Sequence, residues 1–277
     1  MASAMALQSA YRSDAAPHDG GVVGAIDRAA RATGVDFAYL LGQARIESGL
    51  NPDAKAPTSS ATGLFQFIGS SWLDTVKRHG SDHGLGWAAD AIRRGPGGHL
   101  QIADPALRRA VMDLRRDPDA ASAMAACFAR DNGDYLAART GRPAAPVDLY
   151  LAHFLGPAGA AKFLAAHDAN PDAPAAALFP APAAANRNIF YDRSGAPRSL
   201  NDIRARFAAK LDGDAATPVS GAATPPARYV QPADYLRLAG QLASETESPR
   251  TAASTARRVA DPAQVRLAYM LLAALGA

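Results

Sequence analysis

Apolar residues recur at helical spacing along most of the chain. Val22, Val23, Ile26 and Ala30 share one face, which Gly34 closes. Phe37, Leu40, Leu41 and Ala44 form a second face from about Asp36, stopped by Gly49 and Asn51-Pro52. Residues 51–62 are a polar loop. Ser71, with Asp74 at the capping-box position, predicts the next helix start, and Trp72, Leu73 and Val76 supply its apolar side. Glycines at 80, 84, 86, 95, 97 and 98 bracket a short helix near Trp87–Arg94. Asp104-Pro105 and Asp117-Pro118 each read as an N-cap followed by proline at the first helical position. They predict helices near 105–116 and 118–139. After Arg142-Pro143, the residues Val147, Tyr150, Leu151 and Phe154 make a face that Gly156-Pro157 ends, and Ala160–Ala169 forms another helix. Proline- and alanine-rich residues 170–185 read as short turns. Ser199 and Asp202 pair as a capping box before a helix carrying Leu200, Ile203, Phe207 and Leu211. No segment shows sustained strand alternation, so the expected class is mainly α.

This patterning divides the chain into a loose tail over 1–20, a folded region over 21–211, a linker over 212–227 and a helical extension over 228–277. The linker is Asp, Gly, Ala, Thr, Pro and Ser with almost nothing large. The extension holds two helical candidates, about 232–243 and 262–276. The second carries Val265, Ala268, Leu271, Leu272 and Leu275 and is too short to span a bilayer. Either it packs back on the domain, or it docks on a protein partner or serves export.

Glu47 is the residue whose position asks for chemistry. It lies seven residues after Leu40 and so continues the apolar face, in the last turn of its helix. Burial and the negative end of the helix dipole both disfavour a charged carboxylate there. The placement predicts a proton-holding general acid. The alternative is a buried Glu paired with an arginine, or one rotated just outside the core.

Glu47-Ser48-Gly49-Leu50-Asn51-Pro52, a polar loop, then Gly63-Leu64-Phe65-Gln66-Phe67 resembles the first two motifs of the lytic transglycosylase catalytic domain. Phe65 stands where that family often has Met. The resemblance implies a lysozyme-like fold of the goose-type lysozyme and lytic transglycosylase kind, with a minimal β segment and an extended Leu64–Phe67. It implies that Glu47 is the catalytic acid/base and that Ser48, Gln66 and Phe67 lie along a glycan groove. Leu149–Pro157 occupies the place of a third motif, with His153 for its Tyr and Phe154 for its Asn. His153 can donate a hydrogen bond to Glu47 or a sugar, or it can be a structural histidine. Asn186–Tyr191 resembles the family's final segment, with Ile189 at its Tyr and Phe190 or Tyr191 filling that space. The resemblance covers roughly residues 20–211.

Glycosidic cleavage usually takes two carboxylates. C-type lysozymes, which share the fold, place an Asp two residues before the glycine of the second motif; here that residue is Ala61. No acid lies between Asp53 and Asp74. One-carboxylate chemistry, as lytic transglycosylases perform it, is therefore the leading expectation. A hydrolytic muramidase using Asp53 is a second. A non-catalytic glycan-binding or structural component of a secretion, flagellar or phage machine is a third.

The remaining features narrow the picture without changing it. Net charge is +3 with a pI near 9.1, which suits an anionic polymer such as peptidoglycan or merely a solvated basic surface. Arg93-Arg94, Arg108-Arg109 and Arg115-Arg116 read most simply as solvated faces, with contact to an anionic wall polymer as the alternative, and nucleic-acid binding lacks interleaved aromatics. Cys127 is the only cysteine, so no internal disulfide forms, and a buried thiol is expected. His79 and His83 sit four apart beside glycines with no evident third ligand, so neither a metal nor a cofactor is expected. No transmembrane segment is evident. The first residues lack the basic and apolar regions of a secretory leader. An enzyme acting on the periplasmic wall would then need non-classical export or phage-type release, unless its leader is absent from this sequence.

Overall fold

The computed structural model describes residues 20–57 and 60–216. They are mainly helical, with one two-stranded sheet, and fall into two compact units. The first holds residues 20–56, 60–135 and 209–216; the second holds Pro57 and 136–208. The predicted tail up to residue 19, the linker from 217 and the extension 228–277 lie outside the described residues.

In the first unit, α1 (Gly21–Thr33) buries Ala25, Ile26, Ala29 and Ala30 and closes on Gly34 at φ 75°. The Asp36 carboxylate accepts the Tyr39 N–H (2.7 Å) and opens α2 (Phe37–Ser48). Gly49 ends α2 in the left-handed region at φ 62°, with Leu50 following at φ 64°. Both boundaries fall where the sequence predicts them. The start of α3 (Gly69–His79) does not. It begins two residues before Ser71, because the Ser60 hydroxyl reaches in from the preceding loop to accept the Gly69 N–H (3.3 Å). Ser71 then lies inside the helix, and Asp74 pairs with Arg78 one turn on (2.9 Å). Trp72 is fully buried and donates its indole N–H to the Val111 carbonyl (2.7 Å).

A 3-10 turn (Gly80–His83) leads to α4 (Gly86–Ala91), which stops short of the predicted Arg94. Arg93–Arg94 instead forms β1, antiparallel to β2 (Leu100–Gln101), with Arg93 opposite Gln101 and Arg94 opposite Leu100. The Gly95-Pro96-Gly97-Gly98 turn joins them, and the Gly95 N–H bonds the His99 carbonyl (2.9 Å). Two residues per strand are too few for alternation to register in sequence. Asp104 and Asp117 act as predicted. Asp104 accepts the N–H groups of Ala106 and Leu107 (2.7 and 3.0 Å) and opens α5 (Pro105–Asp113). Those N–H bonds hold its carboxyl below the usual carboxylate range. Asp117 accepts the Ala120 N–H (2.9 Å) and opens α6 (Pro118–Thr140).

Small residues let α6 pack closely: Ala120, Ala121, Ala125, Ala126 and Ala129 are buried, and so is Cys127. His79 and His83 each meet a residue of α6. His79 contacts the Asp131 carboxylate (2.8 Å), and the His83 ring nitrogen lies 3.1 Å from the Cys127 sulfur. Burial pushes the Cys127 thiol up and the His83 imidazole down, so both groups favour their neutral forms.

In the second unit, α7 (Pro146–Ala169) consists of two helices meeting at Gly156, φ 75° and ψ 158°, just before Pro157. This is the predicted break. Short helices α8 (Ala175–Leu178), α9 (Pro180–Ala185) and α10 (Arg187–Phe190) follow. The first two stand where the sequence suggests turns over 170–185. The predicted Ser199–Asp202 capping box is formed in both directions (3.2 and 3.0 Å) and opens α11 (Leu200–Ala216). α11 extends beyond residue 211, into the stretch read as linker. Phe207 meets Tyr150 and Phe154 edge-on, with centroids 5.5 and 5.4 Å apart.

The second unit also buries a carboxylate. Asp148 is fully enclosed and accepts from Arg142 (2.7 Å), Arg204 (3.1 Å) and the Ala145 N–H (3.0 Å). Replacing Asp148 with Ala leaves that part-buried N–H and two arginine heads without their acceptor. Both arginines retain partial access to water, which moderates the loss. Asp148→Ala is expected to cost about 2–3 kcal/mol, read as a shift in the urea midpoint.

Candidate active site

Glu47 stands in the last turn of α2, at the rim of the first unit's core. The buried side of α2 is formed by Tyr39, Leu40, Leu41, Gly42, Gln43, Ala44 and Ser48. Glu47 itself is half-buried. Of the two placements the sequence allows, inside the apolar face or rotated just outside the core, the half-buried side chain fits the second more closely. The helix rotates so that Ser48, rather than Glu47, takes the inner position of the last turn. Tyr39, two turns earlier, is buried, which pushes its phenol up, and the Glu47 charge adds to the effect. Tyr39 thus shares the electrostatic environment of Glu47, a relation that helical spacing alone did not suggest.

Ser48 joins the two sequence motifs. Its buried hydroxyl lies 3.0 Å from the Ala44 carbonyl of its own helix and 2.8 Å from the Leu64 carbonyl. The second bond fixes the Gly63–Phe67 segment against the end of α2. Ser48 is therefore a positioning residue, not an exposed groove residue.

The Gly63–Phe67 segment is a tight turn, not the extended stretch expected. Thr62 and Phe67 bridge across it, and Thr62 also bridges Lys55. Gly63 adopts φ +83°, and a Cβ there would overlap the Arg115 carbonyl. Glycine is thus required twice over, by backbone conformation and by close approach. Gln66 has φ 47°, and its buried amide donates to the carbonyls of Gly63 (2.8 Å) and Ala54 (3.2 Å). The amide nitrogen holds the turn closed. Phe67 belongs to the core rather than to a groove wall: its ring packs edge-on against Trp72 (5.3 Å) and Phe128 (6.1 Å).

Arg115 is the residue the sequence reading missed. It is not on a solvated face; it is only 8% exposed. Its guanidinium donates to the carbonyls of Met112 (2.8 Å), Ser60 (2.5 Å) and Phe67 (3.0 Å), clamping both ends of the turn-bearing loop. Burial lowers its pKa to about 10, still leaving it charged at neutral pH. A signal was present: Arg115 lies four residues after buried Val111 and so shares its helical face.

The first unit therefore assembles Glu47, Ser48, Gln66 and Phe67. Asp53 is exposed, in the turn where its own N–H bonds the Asn51 side chain (2.9 Å). His153 and Tyr191 belong to the second unit. His153 is buried, its ring stacked on Tyr150 with centroids 6.1 Å apart. Tyr191 is half-buried beneath the Arg187 guanidinium, 4.7 Å from its ring centre.

Two substitutions test how the turn is held. Ser48→Ala leaves the buried Leu64 carbonyl without its donor and is expected to cost about 1–2 kcal/mol in urea denaturation. Gly63→Ala combines strain with overlap and is expected to cost about 3 kcal/mol or more. Gly49→Ala, where φ is +62° but no atom lies near the added Cβ, should cost only about 1 kcal/mol. Equal losses at 49 and 63 would show that close approach to Arg115 is not what demands glycine at 63. Compared with protein-family models, the chain matches none.

Proposed function

We propose that the protein is a peptidoglycan lytic transglycosylase with a lysozyme-like catalytic domain, acting on the periplasmic wall with Glu47 as its single acid/base. The observation that carries this reading is the hydrogen bond from Ser48 to the Leu64 carbonyl (2.8 Å). It joins the helix end bearing Glu47 to the turn bearing Gln66, so the two motifs form one local structure.

The chemistry follows from one carboxylate. Protonated Glu47 gives its proton to the glycosidic oxygen between N-acetylmuramic acid and N-acetylglucosamine. The C1–O bond breaks, and the neighbouring N-acetyl oxygen shares the positive charge at C1. Glu47, now a carboxylate, takes the proton of the muramyl 6-hydroxyl as that oxygen bonds to C1. Proton and charge are restored, no water is consumed, and a 1,6-anhydro end results. Nothing in this cycle requires a second acid, in keeping with the stretch from 54 to 73, which contains none.

Mass spectrometry of digested peptidoglycan tests the proposal. The wild-type protein should release muropeptides one water lighter than hydrolysis products. Glu47→Gln should slow release by about 10²–10⁴-fold, the usual contribution of a general acid/base. Reducing-end products would make the protein a hydrolase and direct attention to Asp53. No products from the wild-type protein across a range of pH would refute catalysis.

A further inference from the structure

Three arginines near the Gln66 turn are not used by the fold. Six arginines and three aspartates fall between Gly86 and Arg116, so positive charge is concentrated there. Arg115 is consumed by the loop clamp. Arg94 donates to the Gly98 carbonyl within its ribbon (2.7 Å), and Arg93 to the Ile92 carbonyl (3.2 Å). Arg108, Arg109 and Arg116 differ: all three are exposed, and their side chains have no hydrogen-bond or ion-pair partner among the described residues.

Their placement is not scattered. Arg108 and Arg109 stand on α5, and Arg116 follows in the 3-10 turn Leu114–Arg116 that closes it. Arg108 and Arg116 both lie near enough to Arg115 to oppose its charge, against a favourable contribution from Asp113. The Arg115 carbonyl is packed against Gly63, and its guanidinium bonds both Ser60 and Phe67. Arg108 and Arg116 therefore neighbour the residue that clamps the Gln66 turn, and Arg109 stands beside Arg108 on α5, within electrostatic reach of Asp104.

On the proposed function, we infer that Arg108, Arg109 and Arg116 bind the carboxylates of the peptide stems on the glycan strand. Each guanidinium presents paired donors that match one carboxylate. Asp104 and Asp113 lie among the arginines, so the surface offers separate cationic points rather than an unbroken positive track. Interspersed acidic residues favour contacts with discrete carboxylates over a continuous polyphosphate backbone. Residues 104–116, which hold the three arginines, include no aromatic residue for base stacking.

The test is co-sedimentation with insoluble peptidoglycan, using full-length Glu47→Gln protein so that the polymer stays intact. Peptide-bearing sacculi are compared with sacculi stripped of their stems by an amidase. Protein retaining the three arginines should bind the peptide-bearing form roughly fivefold more tightly, with the difference shrinking as salt rises. The same protein carrying Arg108→Gln, Arg109→Gln and Arg116→Gln should bind both forms alike. Should the triple variant fail to fold, Arg109→Gln alone, at an exposed helical position, should narrow the difference. The inference is overturned if no preference exists, if the variants retain it, if neither form is bound, or if a DNA duplex binds as tightly as peptide-bearing wall. Anhydro-product release by protein with Glu47 intact is scored separately. A preference without cleavage would leave the arginine surface standing and remove the transglycosylase assignment.

Discussion

Arg115 holds the loop between α2 and α3 by donating to carbonyls at both of its ends. A turning loop leaves backbone carbonyls without the partners a helix would give them, and burying them unpaired is costly. The guanidinium supplies several donors in one plane and reaches Ser60, Phe67 and Met112 together. The desolvation penalty is visible in the fall of its pKa to about 10. Hydrogen bonds to three carbonyls offset that penalty while the group remains charged. A lysine carries a single nitrogen and cannot reproduce the planar reach.

From this clamp the rest of the turn follows. With Arg115 drawn against the loop, its own backbone passes so near residue 63 that no side chain fits there. Gly63 supplies the left-handed geometry, and the chain reverses over four residues. Gln66 then lies back across the turn and donates to Ala54 and Gly63. The reversal presents the Leu64 carbonyl to Ser48, which is how the end of α2 is tied to the turn. Each hydrogen bond is individually modest. Together they fix backbone geometry within a segment that has very little regular secondary structure of its own.

Much of this fold is legible in the sequence because its boundaries are set locally. Asp36, Asp104, Asp117 and the Ser199–Asp202 pair use short side chains on nearby N–H groups, and Gly34, Gly49 and Gly156 supply conformations that other residues resist. Ser71 was misleading for the opposite reason. The group that caps α3 is Ser60, contributed from across a loop, and no spacing rule within the helix reveals it. The ribbon at 93–101 is too short to have a period. Phe67 looks like a groove residue beside Gln66 in the motif, yet strand-like bridging to Thr62 directs its ring into the core. Arg115 escaped because charged pairs usually face water, whereas here backbone carbonyls take the role of the counter-charge.

On the proposed function, the position of Glu47 bears on what one carboxylate can do. A single-acid cycle needs the same group first to hold a proton and then to carry a charge strong enough to remove one. Complete enclosure would favour the neutral form and hinder the second step, while full exposure would favour the charged form and hinder the first. Glu47 is half-buried, at the edge of the core where α2 ends. The inner position of that turn is taken by Ser48, whose hydroxyl can be buried at little cost because it has carbonyl acceptors. Exchanging the two roles would place a carboxylate against the Ala44 and Leu64 carbonyls, where like partial charges repel. The order Glu-Ser at the helix end thus keeps the carboxylate at the rim and the structural hydroxyl inside.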